Sequence, residues 1–360
     1  MRTGVAHLPL HRGRAPRWLF ERMTRLAREV VCHLVAEYGP GEVLRRLADP
    51  FWFQAFGCVL GFDWHSSGVT TTACGALKEG LRGLEGDLGL FVAGGKGKTS
   101  RNTPSEIEAA CETTGVDPGP LVYASRMAAK VDSAAVQDGH QIYHHVFVFT
   151  ARGDWCVVQQ GMCAERRTAR RYHWLGERVS AFVEEPHAAV CAEGATPVLN
   201  LVAAESSGVR QGSVELVRTD PGAVLDAVTR ARELRLPGRH AVSLADVHPG
   251  RLRSVLLETY ERVPRDFEEL LGLPGVGAKT LRALALTAEL IYGTPASTRD
   301  PARFSFAHGG KDRTPYPVDR AVYDRTIETL RAALERARIG HHDRMRALKR
   351  LARFAAAGSP

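Results

Sequence analysis

Residues 143–150, YHHVFVFT, are followed by Ala151-Arg152-Gly153-Asp154 and then by WCVVQQGM at residues 155–162. Two runs rich in β-branched and aromatic residues, joined by a short turn that contains glycine, predict a β-hairpin. Both runs are apolar enough to belong to the centre of a sheet. The polar residues at the ends of this hairpin are therefore candidates for a functional site.

The segments on either side of the hairpin predict an α+β protein. Residues 18–39 follow Pro16 and Arg17 with helical spacing of apolar residues and stop at Gly39-Pro40-Gly41. Short apolar runs at 56–62, 89–93 and 142–149 are separated by glycine-rich turns. These predict an N-terminal α/β domain with a mixed sheet. The later helical segments predict an all-α C-terminal domain, and they lie at residues 222–235, 250–262, 266–272, 277–291, 318–337 and 342–356. We place the N-terminal, catalytic domain at 1–180, a joining segment at 181–220 and the helical domain at 221–360.

Composition and charge describe a folded, basic protein. Among 360 residues, Lys and Arg number 48 and Asp and Glu 40, which gives a net charge of +8 and favours polyanionic partners. The seven cysteines are scattered without a C-x-x-C pair, which is typical of reduced thiols. No apolar stretch is long enough for a membrane span, and the start lacks the apolar core of a signal peptide. We expect a cytoplasmic protein with no membrane partner.

The segment LPGVGAKT at residues 273–280 is the most specific motif in the chain. It separates a short apolar helix from a second helix, and the predicted turn contains Gly275 and Gly277. Glycines there allow backbone N–H groups at the start of the second helix to face a phosphate, and Lys279 and Thr280 follow in its first turn. We expect this helix-hairpin-helix to contact the DNA backbone; the alternative is an ordinary αα-hairpin.

This segment resembles the helix-hairpin-helix of DNA repair proteins, and residues 251–330 resemble the endonuclease III-like DNA glycosylase superfamily. The resemblance implies that Lys279 is a Schiff-base nucleophile and that Asp319, in Tyr316-Pro317-Val318-Asp319-Arg320, is the activating carboxylate. The two residues lie 40 positions apart (319 − 279), which is more than that superfamily usually shows.

Nearly the full length resembles an uncharacterised bacterial and archaeal family known as a domain of unknown function. The resemblance lies in the following segments: HLPLHRGRAPRWLFERM (7–23), GFDWHSSGVTT (61–71), AKVDSAAVQDGHQIYHHVFVF (129–149), VVQQGM (157–162) and FAHGGKDRTPYPVDR (306–320). This resemblance implies relatives and no mechanism.

Two polar runs carry the candidate chemistry of the N-terminal domain. The first, Gly61–Gly68, contains Asp63 and His65. The second extends from Ser125 to His145, with Gln159-Gln160 on the next strand. Carboxylates that hold Mg²⁺ or Mn²⁺, with a lysine or histidine acting on water, are what a metal-dependent phosphodiesterase needs. The candidate catalytic residues are Asp63, His65, Lys78, Lys130, Asp132, Asp138, His140 and His144, and the candidate metal ligands are Asp63, Asp132 and Asp138.

Structural roles remain open for the same residues. Asp63 could cap a helix, Asp138-Gly139 could form a turn, and His144 and His145 must point to opposite faces of a strand. The glycine-rich loop that contains Lys96, Lys98 and Arg101 suits a phosphate backbone but lacks the spacing of a nucleotide-binding P-loop.

A cluster of arginines and aromatic residues at 166–174 is suited to bind distorted or single-stranded nucleic acid. The alternative is that this segment is the solvated end of a helix. The candidate DNA-binding residues are Lys96, Lys98, Arg101, Arg170, Arg171, Gly275, Gly277, Lys279, Thr280 and Lys311.

Taken together, these patterns predict a DNA repair or processing protein whose partner is single-stranded, branched or damaged DNA. Metal-dependent cleavage of phosphodiester bonds is the first hypothesis. A glycosylase or lyase that uses Lys279 and Asp319 is the second, and a DNA-binding protein without catalysis is the third.

Overall fold

A five-stranded sheet lies at the centre of the protein, with strand order β1-β3-β4-β5-β6. The computed structural model describes residues 16–62, 67–192, 198–226, 253, 256–257, 259–302 and 320–357. The strands of this sheet are β1 Leu90–Lys96, β3 Gln141–Thr150, β4 Trp155–Cys163, β5 Thr168–Leu175 and β6 Ala189–Cys191. Two short strands, β2 Val136–Gln137 and β7 Leu199–Asn200, pair separately.

The predicted hairpin forms the middle of the sheet. β3 and β4 pair antiparallel, from Phe149 opposite Trp155 onward. The Thr150 N–H donates to the Asp154 carbonyl at 2.8 Å, which closes the turn. Because both strands have neighbours on both sides and helices on both faces, apolar side chains are buried on each face.

Helices cover both faces of the sheet. Val146 and Val158 belong to one core cluster and Phe147 and Val157 to the other, so we name the two faces the Val146 face and the Phe147 face. The helices with residues in the Val146-face core are α1 Arg17–Tyr38, α2 Pro40–Ala48, α3 Pro50–Leu60, α4 Gly68–Leu81, α11 Arg320–Arg336 and α12 His341–Ala357. Those in the Phe147-face core are α6 Thr103–Thr114, α7 Pro118–Lys130, α8 Ser207–Arg218, α9 Phe267–Gly272 and α10 Ala278–Tyr292. A short α5, Glu85–Leu88, precedes β1.

The C-terminal helices share these cores with the sheet. Leu270 and Leu284 lie in the Phe147-face core, and Leu334 and Leu351 lie in the Val146-face core. The predicted helices at 266–272, 277–291 and 342–356 are confirmed with small changes at their ends, and the one at 318–337 is confirmed over 320–336. The predicted helices at 222–235 and 250–262 lie partly outside the described residues. The predicted domain boundaries at residues 180 and 220 stay a prediction.

Two features of the predicted sheet are wrong. The strand pairs among the described residues are all antiparallel, so the sheet is not mixed. The run at 56–62 is not a strand, because residues 56–60 belong to α3, in which every residue from Pro50 to Leu60 is buried. A helix enclosed on all sides shows no polar face, and a short apolar run then looks the same in a helix as in a strand.

Two further segments were misread or missed. The run at 166–174 is largely β5, a buried interior strand, and not a solvated helix end. The 12-residue helix α8 lies where the sequence shows only weak periodicity. Within the described part of the chain, no helix is long and apolar enough to cross a membrane.

Candidate functional site

A row of polar residues crosses the Val146 face near one end of the sheet, which we name the polar end. Lys96 of β1 lies opposite His144, His144 opposite Gln160, Gln160 opposite Arg171, and Arg171 opposite Cys191. Residues directly opposite each other on paired strands project from the same face. Amino-acid spacing along the chain could not reveal this row, because each strand contributes a single residue to it.

A β-bulge shapes the middle of the row. The register between β3 and β4 shifts between Ile142 and His144, so Tyr143 and His144 together lie opposite Gln160. The Gln160 side-chain amide contacts the Tyr143 hydroxyl and donates to the Ser67 carbonyl at 2.9 Å. The bulge therefore brings a phenol, an imidazole and an amide to one point of the sheet.

His144 is the least satisfied polar side chain in this group. It is 1% exposed, and neither ring nitrogen has a hydrogen-bond partner among the described residues. The same holds for the side-chain carbonyl oxygen of Gln160, its neighbour on β4. Buried polar atoms of this kind are uncommon and mark places where a small polar group can bind.

The protonation state of His144 follows from its surroundings. Burial, with the neighbouring His145 and the Lys96 charge, lowers the pKa of His144 to about 3. Its ring is therefore neutral near pH 7, with one nitrogen as a donor and the other as an acceptor. In that state it can orient water or a ligand hydroxyl, and an anion nearby would raise its pKa.

Arg171 continues the row into the interior and does not lie on the surface. Its Nε donates to His173 Nε2 at 2.8 Å, and its Nη1 lies 3.3 Å from the Gln54 side-chain oxygen. Arg171 is 0% and Arg170 1% exposed. Both guanidinium groups are thus buried and hydrogen-bonded to protein atoms, and contact of these two arginines with DNA stays a prediction.

Asp132 is the centre of a separate network on the Phe147 face. It lies in a single π-helical turn, Val131–Ala135, that continues α7. One carboxylate oxygen accepts from Gln159 Nε2 at 2.5 Å and from Trp174 Nε1 at 3.0 Å, and the other lies 2.5 Å from His187 Nε2. Burial raises the pKa of Asp132, against the lowering influence of His187.

His145 joins that network and confirms that the two adjacent histidines face opposite sides. Its Nδ1 lies 2.8 Å from the Gln159 side-chain oxygen, and its Nε2 lies 2.9 Å from Ser125 Oγ. Burial lowers the pKa of His145 to about 4, although the Gln159 hydrogen bond opposes the change. Unlike His144, it has a partner at each nitrogen.

Asp138 anchors a third buried cluster. Its Oδ2 accepts from Tyr172 at 2.5 Å and from Arg170 at 3.0 Å, and its Oδ1 accepts from the His140 backbone N–H at 2.8 Å. Arg170 also pairs with Asp300 at 2.5 Å. Burial by itself would raise the pKa of Asp138, but the His140 hydrogen bond and the Arg170 charge lower it below its ordinary value.

These contacts bear on the predicted metal ligands. Asp132 and Asp138 each have protein partners at both carboxylate oxygens, as structural carboxylates do. Within the described ranges, no group of three His, Cys, Asp or Glu residues is placed to hold a metal ion. Asp63 and His65 lie outside the described residues, and Mg²⁺ or Mn²⁺ binding stays a prediction.

Lys78 supports the start of the glycine-rich loop. Its ammonium donates to the Gly94 carbonyl at 2.8 Å and to Glu106 Oε2 at 2.6 Å, and the Gly94 N–H donates to the same carboxylate at 2.7 Å. An alanine at 94 would place its Cβ 2.3 Å from the His145 carbonyl oxygen. Lys78 thus holds the last part of β1. The three basic residues of the loop that starts there are exposed: Lys96, Lys98 and Arg101.

Lys130 attaches the predicted DNA-binding turn to α7. Its ammonium donates to the carbonyls of Leu273 at 3.3 Å and Val276 at 2.6 Å, and burial lowers its pKa. Gln137 Nε2 donates to the Ala278 carbonyl at 2.7 Å. Lys130 and Gln137 therefore attach the backbone of this turn to the rest of the protein.

The turn itself has two different glycines. Gly275 has φ +82°, a conformation that favours glycine. Gly277 has extended φ and ψ, and a Cβ there would meet no atom within 4 Å. Lys279 is exposed in the first turn of α10, whereas Thr280 is buried. Lys311 and Asp319 lie outside the described residues.

Sequence reasoning undervalued several of these side chains. The adjacent amides Gln159 and Gln160 interrupt an apolar central strand, and that interruption was the available signal. His187 and Asp300 gave no signal, because they lie 55 and 130 residues from the partners that they bind.

Comparison of this chain with known proteins identifies its family but does not identify an activity. No curated protein and no solved structure matches the chain. Residues 4–318 match the family described as "Protein of unknown function (DUF763)". The match extends over both the polar end of the sheet and the Leu273–Gly277 turn. This chain is therefore a member of the DUF763 family.

Proposed function

We propose that the protein binds the phosphate backbone of DNA through the turn between α9 and α10. The observation that carries the proposal is Gly277. Its backbone is extended and its Cβ position is open, so neither the fold of the turn nor its packing requires glycine there. A glycine in this position leaves the start of a helix accessible to a group from outside the chain.

The start of α10 suits an anion for two physical reasons. The first N–H groups of a helix have no acceptor within the helix, and the helix dipole places partial positive charge at the same end. Lys279 adds a full positive charge in the first turn and is exposed. Backbone donors recognise phosphate without reading bases, which suits the single-stranded, branched or damaged DNA expected from the sequence.

The side chains that hold the backbone of the turn also support the proposed phosphate contact. Lys130 and Gln137 hold carbonyls on both sides of Gly277, at 2.6 Å to Val276 and 2.7 Å to Ala278. A carbonyl bound from the protein side leaves the opposite side of the peptide units available to a ligand. The net charge of +8 adds long-range attraction for a polyanion.

Fluorescence anisotropy with labelled single-stranded, duplex and branched DNA tests this contact. We expect Gly277→Ala to weaken binding by about fivefold to thirtyfold, the equivalent of ~1–2 kcal/mol. Lys279→Ala should lower the slope of log K against log salt by about 1. Gly41→Ala is the control for the glycine, because Gly41 lies in the first turn of α2 and its Cβ position is open.

Arg152→Ala, which removes an exposed charge from the β3–β4 turn, is the control for charge. If Gly277→Ala and Lys279→Ala bind every DNA with the affinity of the unaltered protein, the turn is not the contact. If Arg152→Ala weakens binding as much as Lys279→Ala, net charge and not the turn accounts for affinity.

We further propose hydrolytic cleavage of DNA at the polar end of the sheet, with Mg²⁺ or Mn²⁺ as cofactor. The supporting observation is His144, buried with both ring nitrogens unpartnered beside Gln160 among the described residues. Such a neutral ring is suited to orient the attacking water. The proposal places Asp63 among the metal ligands, as the sequence predicts.

Cleavage assays separate the three hypotheses. Labelled DNA is incubated with Mg²⁺, Mn²⁺ or EDTA and with the His144→Ala, Asp63→Ala and Lys279→Ala variants. Metal-dependent cleavage that His144→Ala and Asp63→Ala abolish supports hydrolysis. Cleavage of damaged DNA that resists EDTA, traps with borohydride and requires Lys279 would establish the lyase instead. Binding with neither reaction would leave a DNA-binding protein without catalysis.

A further inference from the structure

A small cavity opens between α1, the end of α3 and the connection from α11 to α12. Its volume is about 150 Å³, and its lining includes five arginines and one carboxylate. The charged lining residues are Arg22, Arg25, Arg338, Arg346, Arg350 and Asp343. No lining residue of this cavity belongs to the Leu273–Gly277 turn, so the cavity has no part in the DNA contact proposed there.

The arginines of this cavity are poorly neutralised. Arg22 Nε lies 3.2 Å from Asp343 Oδ1. Among the residues that the structure describes, the side chains of Arg25, Arg338, Arg346 and Arg350 form no ion pair. Five positive groups against one negative group leave a formal excess of +4 in the lining (5 − 1). Like charges brought together in this way repel one another.

Arg350 shows that the crowding reaches the interior. Its Nε is buried and has no hydrogen-bond partner in the described part of the chain. Burial, followed by the Arg346 charge, lowers the pKa of Arg350, although the Asp343 charge opposes the change. Its Nη1 lies 2.8 Å from the position of a Cβ at Gly61, so a side chain at residue 61 would displace it. Burying a guanidinium without a partner costs free energy of folding unless an anion binds beside it.

The size of the cavity limits what can enter. Pockets that enclose a whole small-molecule ligand span ~300–1,000 Å³, so this one admits a single group. Guanidinium forks match the oxygens of phosphate with paired hydrogen bonds. Trp18 lines the same cavity, is 54% exposed and has the Arg22 guanidinium 5.4 Å from its ring centroid. An exposed aromatic face beside a phosphate site suits a nucleobase attached to that phosphate.

We infer that the cavity formed by Arg22, Arg25, Arg338, Arg346 and Arg350 is a binding site for a phosphate group. Two sources present this chemistry: a small phosphorylated molecule or inorganic phosphate, and the phosphorylated end of a nucleic acid strand. The inference does not rest on DNA binding by the α9–α10 turn.

Calorimetric titration of inorganic phosphate into the full chain, at constant ionic strength, tests the site. We expect saturable binding that weakens at least tenfold in Arg346→Gln and in an Arg25→Gln/Arg346→Gln double variant. Both residues are exposed, so the fold should be retained, which circular dichroism checks. Arg353→Gln is the matched control, because Arg353 is an exposed residue of α12 outside the cavity lining and should bind as the unaltered protein does.

A second titration distinguishes the sources. Oligonucleotides with and without a 5′- or 3′-phosphate compete with inorganic phosphate, in the unaltered protein and in Gly277→Ala. Preference for a phosphorylated end that survives Gly277→Ala and is lost in Arg346→Gln identifies the strand end as the ligand. Phosphate binding without competition from any oligonucleotide identifies a small molecule. No saturable phosphate binding, or equal binding by Arg346→Gln and the unaltered protein, overturns the inference.

Discussion

Replacing His144 by leucine tests the structure at the polar end of the sheet. At pH 7 the neutral imidazole is buried with both nitrogens unpartnered among the described residues. Leucine has a similar volume and requires no hydrogen bond. Since a buried unsatisfied polar group costs ~1–3 kcal/mol, we expect His144→Leu to keep or raise the free energy of unfolding.

The effect of pH has a calculable size. The pKa of His144 is about 3 in the folded protein, against ~6.5 in an unfolded chain. The unfolded state therefore binds a proton first as the pH falls, and the folded state loses stability between pH 6.5 and 3. With a slope that approaches ~1.36 kcal/mol per pH unit below the unfolded pKa, the contribution of His144 between pH 7 and 5 is a loss of about 2 kcal/mol. This contribution should be missing in His144→Leu.

Urea unfolding at pH 7, 6 and 5 measures both quantities. His145→Leu is the matched control, since its pKa is also lowered, to about 4, but it has Ser125 and Gln159 as partners. We expect His145→Leu to lose the same kind of pH dependence and to be less stable at pH 7, because two buried partners remain unsatisfied.

Two results would refute this reasoning. A His144→Leu protein that is several kcal/mol less stable at pH 7 would show that the imidazole makes an essential contact in solution. If His144→Leu and the unaltered protein lose the same stability between pH 7 and 5, His144 becomes protonated in the folded protein as readily as in the unfolded chain.

Two other predictions concern the buried polar contacts. Asp138→Asn should lower the free energy of unfolding at pH 7 by ~3–5 kcal/mol, because it leaves Arg170 buried without one of its carboxylates. Since the pKa of Asp138 is lowered on folding, this loss should be full above ~4 and should disappear as the pH falls through the folded pKa; an equal loss at pH 2 would contradict it. Lys130→Met should release the carbonyls of Leu273 and Val276, weaken DNA binding and speed amide exchange in residues 273–280, and unchanged exchange there would show that the turn does not depend on Lys130.

Local patterns were sufficient for much of the fold. The β3–β4 hairpin followed from two apolar runs and a short turn, and helices α9–α12 followed from apolar spacing with glycine or proline at their ends. Those signals lie within one element. α3 is buried on all sides and β5 contains charged residues in the interior. In such elements the pattern of polar and apolar residues does not show which side chains are buried. The sequence predictions failed at those elements.

The sequence by itself determined an α+β chain of basic charge, its central hairpin and the glycine turn before α10, because each depends on residues close together in the chain. Only the tertiary structure decided what the polar residues contact. A register shift of β3 against β4 brings Tyr143 and His144 together opposite Gln160. The arginine cavity joins Arg22 to Asp343 across 321 residues. Such contacts depend on strand register and on the packing of distant helices, and neither is encoded in the spacing of residues along one segment.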